Sequence, residues 1–130
     1  MKRDASAVAV AQLRDAKDGL LVVSVNRTYP RLNAYDAARY AWRLSPGRAR
    51  QVDYVLATKN RRVIGVFEPT EWKPATLANF PEFDRQMLGR LGFIGRAASK
   101  AAAAPYLGRD LPAEFRFSGN GYRYAGSLAP

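Results

Sequence analysis

Leu20-Leu21-Val22-Val23-Ser24-Val25-Asn26-Arg27-Thr28-Tyr29 is the stretch from which the fold is read. Leu20, Leu21 and β-branched Val22, Val23 and Val25 favour an extended chain. So short an apolar run, entered through Gly19, predicts a strand buried on both faces. It stops at Asn26, Arg27, Thr28 and Tyr29, which delivers polar groups to the rim of a core. An amide and a guanidinium there suit a base edge or a phosphate. The same residues equally suit a turn capped by Asn26 with a solvated Arg27.

Before this strand, Ala5, Val8, Ala9, Leu13 and Ala16 recur at helical spacing and predict a helix over 4–18, stopped by Gly19. After it, Asn33 is an N-cap, with Asp36 three residues on. The helix it opens is expected to run from Ala34 to about Leu44 and to end at Ser45-Pro46-Gly47. Tyr35, Arg39 and Trp42 then share one side, with Arg43, Arg48 and Arg50 following. Aromatics interleaved with arginine suit base stacking and phosphate contact, whereas a tryptophan at position 42 is by ordinary habit a core anchor.

Val52–Thr58 and Arg62–Glu68 predict two strands joined by a turn at Lys59-Asn60-Arg61. Lys59, Arg61 and Arg62 at that tip make a phosphate finger, or simply a soluble turn. Gly65 within the second strand suggests a bulge or a close approach. Residues 69–81 hold three prolines and are expected to be a connection rather than a helix or central strand, with Trp72 a candidate lid over a base. Further on, the sequence suggests a short helix at 82–90, a strand around Leu91–Gly95 and an alanine-rich helix at 97–104. A last pair of short strands is expected at Phe115–Phe117 and Tyr122–Tyr124. Gly92 and Gly95 lack the spacing of a phosphate-binding glycine loop.

This order argues for one α+β domain over residues 1–130, with the N-terminal helix in 1–18. Its core is a small mixed or antiparallel β-barrel with flanking helices. Length and apolar content, 130 residues and 48%, suit a single folded core. Cysteine and histidine are both absent, which removes disulfides, thiolate chemistry, a His-based triad and any ordinary zinc site. No cofactor and no metal ligand set is assigned. Glu68 and Glu71, with Asp53, are the carboxylates an enzyme acting on a nucleotide or nucleic acid would use, but no partner group accompanies them. No catalytic residue is therefore assigned. No stretch has the length of a membrane span, and charges interrupt the apolar N-terminus, so a cytoplasmic location without membrane association is expected.

The formal charge is +10, from 21 basic and 11 acidic residues. Such an excess favours a polyanionic partner; a GC-rich genome, which enriches arginine over lysine, gives the same bias without function.

The segments VSVNRTY, YDAARYAWRLS, YVLATKNRRVIGVFEPTEW, RLGFIG, PYLGRDLP and RYAG, over about residues 20–126, resemble uncharacterised bacterial domains of the PUA-like barrel group. That group includes the ASCH and EVE domains. The resemblance implies a small mixed barrel that binds RNA, DNA carrying modified bases, or a nucleotide. Its pocket would lie between the end of the first strand, the Trp42 helix and the Trp72 loop. Asn26, Arg27, Thr28, Tyr29, Tyr35, Arg39, Trp42 and Trp72 would meet the ligand, and Arg43, Lys59, Arg61 and Arg62 its phosphates. Similar stretches stand beside GIY-YIG nuclease domains, which implies a partner nuclease or toxin domain. A protein-interaction module of a toxin or defence system is the third class, expected to expose an apolar patch at Trp72 and Phe80.

Overall fold

The computed structural model describes Leu13 and residues 16–117 and 119–130. The expected helix over 4–18 lies outside these residues except for Leu13 and 16–18. The elements, in chain order, are β1 (Gly19–Ser24), α1 (Ala34–Arg39), β2 (Tyr40–Trp42), α2 (Pro46–Ala49), β3 (Tyr54–Lys59), β4 (Arg62–Pro74), β5 (Leu91–Ala97), α3 (Lys100–Ala103) and β6 (Tyr122–Gly126).

β1 is an interior strand, between β3 and β6, and is buried on both faces, as its sequence predicts. Leu21, Val23 and Val25 face one core, with Ala37 and Ala38 of α1, Val55, Phe67 and Phe93. Leu20 and Val22 face the other, under Ala103, Tyr106, Leu111 and Phe115. Each fully buried Leu or Val contributes roughly 1.5–3 kcal/mol through removal from water.

The fold is mixed α+β, and its sheet has six strands in the order β2-β5-β4-β3-β1-β6. β1 pairs with β3 in parallel; the other pairs are antiparallel. The sheet curls into a half-barrel, and its two edge strands approach each other. Trp42 of β2 meets Tyr122 of β6 edge-on, ring centroids 6.4 Å apart, and the Tyr122 hydroxyl donates to the Arg43 carbonyl.

Several local expectations are corrected. The helix from Ala34 ends at Arg39, and Tyr40–Trp42 becomes a strand because it pairs with Leu91 and Gly92. Ser45 therefore does not close that helix; it caps α2 instead. The proline-rich stretch is not a loop throughout, since β4 continues to Pro74. Beyond Phe67, β4 pairs with β5 alone, so it behaves as an edge strand that tolerates proline. A bulge falls between Pro69 and Glu71, where the Thr70 hydroxyl donates to the Ile94 carbonyl at 2.8 Å. Residues 82–90 form turns, not a helix, and Phe115–Phe117 is not a strand; β6 pairs with β1 instead. The irregularity expected at Gly65 is present as a shift between Ala57 and Thr58, and a Cβ on Gly65 would meet the Phe67 ring at 2.8 Å.

Candidate functional site

The β3–β4 hairpin turns through Asn60 and Arg61, with φ of 50° and 68°. Positive φ at both central residues matches the right-handed twist of the flanking strands, but it strains a non-glycine side chain. The neighbouring segments hold the strained turn in place. Asn26 Oδ1 accepts the Asn60 N–H at 2.8 Å. Lys59 Nζ donates to the carbonyls of Asn26 and Tyr29, at 2.9 and 3.1 Å. The Arg61 guanidinium donates to the carbonyls of Pro112 and Phe115, at 2.7 and 2.8 Å.

Arg62 pairs with Asp110 at 2.9 Å, and that hydrogen bond holds its pKa above the ordinary value. Lys59, Asn60, Arg61, Arg62, Asp110, Leu111 and Ala113 line an open depression of about 690 Å³. Arg27 and Arg31, both exposed, lie in the adjoining segment after β1. Among the described residues neither has an ion-pair partner. Lys59 and Arg61 bond to neutral carbonyls, so their charges remain uncompensated. One end of the sheet thus carries five cations, of which, among the described residues, only Arg62 meets a carboxylate.

Tyr35, Arg39, Trp42 and Trp72 are committed elsewhere. Arg39 is 5% exposed. Its Nε donates to Asp36 at 2.9 Å and its Nη2 to Glu82 at 2.5 Å. Its guanidinium lies 4.8, 5.5 and 5.0 Å from the ring centroids of Tyr35, Phe80 and Phe83. Burial works against its charge, but the hydrogen bonds it donates to Glu82 and Asp36 outweigh it and raise the pKa. The Tyr35 hydroxyl donates to the Gly95 carbonyl at 3.0 Å and accepts the Gly95 N–H at 2.9 Å. Trp42 Nε1 donates to the Ala38 carbonyl at 2.7 Å. Trp72 packs on Phe93 with centroids 5.1 Å apart, and its Nε1 is buried without a partner among the described residues.

Asn26 therefore groups with Lys59 and Arg61 at the hairpin end, while Tyr35, Trp42 and Trp72 border the core beneath α1. Tyr29 also packs against that core, and Thr28 closes the intervening turn by accepting the Leu32 N–H at 2.8 Å. Arg43 is exposed beyond β2, apart from the hairpin residues. Phe80 is fully buried, so it forms no exposed patch with Trp72.

Among the carboxylates, Glu68 pairs with Arg96 at 3.0 Å and Glu71 with Lys73 at 3.8 Å. Asp53 accepts the Gly19 N–H at 2.7 Å. Among the described residues, no three acidic groups stand together as a metal site. No helix there is long and apolar enough to cross a membrane.

Arg31 and Asp110 belong to the hairpin end and were not singled out from the sequence. Arg31 had a signal, a second arginine four residues after Arg27 in the segment that follows the first strand. Asp110 had none, because its place depends on the bridge between Arg62 and Asp110. Compared with known proteins, the chain matches no family model, no curated protein and no solved structure.

Proposed function

We propose that the chain is a cytoplasmic nucleic-acid-binding module of PUA-like type that grips the sugar–phosphate backbone at the hairpin end of its sheet. One observation carries the reading: Arg27, Arg31, Lys59, Arg61 and Arg62 gather there, and Asp110 is the carboxylate paired with them. Uncompensated cations on a rigid rim displace the counterions condensed on a polyanion, which is the main source of sequence-independent affinity. The overall charge of +10 draws the ligand in from a distance. On this reading, strand cleavage belongs to a partner domain.

The test is fluorescence anisotropy with short labelled nucleic acids between 50 and 200 mM salt. Arg27→Gln/Arg31→Gln removes two exposed cations and leaves every hydrogen bond described above in place. Its log–log salt slope should be shallower by about two. No binding by the parent protein at the lowest salt, or an unchanged slope in the variant, overturns the proposal.

A further inference from the structure

We infer that the preferred ligand of the hairpin end is a duplex held across a groove, rather than a single strand held by base stacking. The inference rests on the nucleic-acid reading above and narrows it.

Two observations carry it. The first concerns aromatic faces. Proteins that hold single strands supply exposed rings, each worth about 1–3 kcal/mol per stacked base. Here the seven tyrosines, six phenylalanines and two tryptophans are all buried or half-buried. The rings named as stacking candidates are already occupied: Tyr35 by Phe67, Phe93 and Arg39, Trp42 by Tyr122, and Trp72 by Phe93. A base stacking on one of them would compete with ring contacts that these half-buried side chains already make.

The second is the layout of the cations. Arg27 follows β1, Lys59 ends β3 and Arg62 begins β4, and these are three successive strands of the sheet. The ends of β1 and β4 are two strand spacings apart, about 10 Å at the backbone, and Arg27 lies in the turn just beyond the end of β1. The B-DNA major groove is about 12 Å wide, a span of the same order as the distance between those two strand ends, from which Arg27 and Arg62 project at the same end of the sheet. Charge density points the same way, because a duplex carries one charge per about 1.7 Å of axis against about 3.4 Å for each strand.

The experiment compares a 20-base-pair DNA duplex, the same duplex as RNA, and one constituent strand of each, all at one low salt concentration. The expected result is at least tenfold tighter binding to a duplex than to its single strand. Tryptophan emission, from Trp42 and Trp72 alone, should stay unchanged on saturation, and Arg27→Gln/Arg31→Gln should weaken duplex binding at least tenfold. Equal or tighter single-strand binding, or quenching of the tryptophans, overturns the inference while the broader function stands; duplex binding indifferent to the double variant overturns both. Failure of all four nucleic acids to bind overturns the functional reading itself.

Discussion

Asn26 Oδ1 accepts the backbone N–H of Asn60 at 2.8 Å, so the turn that follows β1 holds the tip of the basic hairpin. The bond joins residues 34 apart in sequence and ties the segment that carries Arg27 and Arg31 to the hairpin that carries Lys59 and Arg62. Asn26→Ala removes the acceptor and should cost about 0.5–1.5 kcal/mol in urea denaturation. Asn26→Asp keeps an acceptor and should retain most of that stability, while its added negative charge weakens nucleic-acid binding. Equal destabilisation by both variants would show that the hydrogen bond is not what matters.

Arg61 sits at φ 68° and is anchored to two carbonyls. Arg61→Ala loses the anchors and keeps the backbone strain. Arg61→Gly loses the same anchors but relieves the strain, so it should be more stable than Arg61→Ala by about 1 kcal/mol. Thermal unfolding of the pair measures this, and an alanine variant as stable as the glycine variant would refute it.

Arg39 and Glu82 give a pH-dependent contribution. A hydrogen bond from its own backbone N–H, then the one from Arg39, holds the Glu82 pKa below the ordinary carboxylate value. A depressed folded-state pKa stabilises the protein above the unfolded value, about 4.3, and that stability is lost as pH falls through the lower folded value. Parent protein and Glu82→Gln should therefore differ in Tm at pH 6 and converge towards pH 3. A difference that does not change with pH would contradict this. Arg39→Met removes the cation from its aromatic surround and should cost about 1–3 kcal/mol, since the stranded carboxylates can rehydrate.

Tyr35 closes a gap in the sheet. β2 pairs with β5 only at Leu91 and Gly92, and the Tyr35 hydroxyl satisfies both backbone groups of Gly95 further along. Tyr35→Phe should cost about 1–3 kcal/mol by leaving those groups unpaired. Gly95→Ala should cost a similar amount, about 1–3 kcal/mol, because a Cβ there would run into the Glu68 carbonyl. Denaturant midpoints unchanged in both would contradict the role given to this contact.

What could be read from the sequence depended on whether the deciding forces were local. β1 and the β3–β4 hairpin announce themselves because β-branched, alternating residues and a polar tip favour the same conformation the sheet requires. The Asn33 cap is local too, and Asn33 Oδ1 does accept the Asp36 N–H, at 2.8 Å. Tyr40–Trp42 was misread as helix because its strand pairing comes from Leu91 and Gly92, some 50 positions away. The proline-rich half of β4 was misread because nothing in the prolines tells that the strand has lost its β3 neighbour there. In the candidate site, the cations of the hairpin tip were legible, since Lys59, Arg61 and Arg62 are consecutive but for one residue. The commitment of Arg39 was not, because Glu82 and Phe83 reach it from a segment with no regular structure. Asn26 stood between ligand contact and turn closure; its oxygen is engaged by the turn.

The central claim is that the hairpin end binds nucleic acid through its phosphates, and the salt dependence of duplex affinity tests it most directly. The account predicts a log–log slope of about −3 to −4 for phosphate contacts by the four cations without a carboxylate partner, shallower by about two in Arg27→Gln/Arg31→Gln. A slope near zero, or no measurable affinity at 50 mM salt, would contradict it.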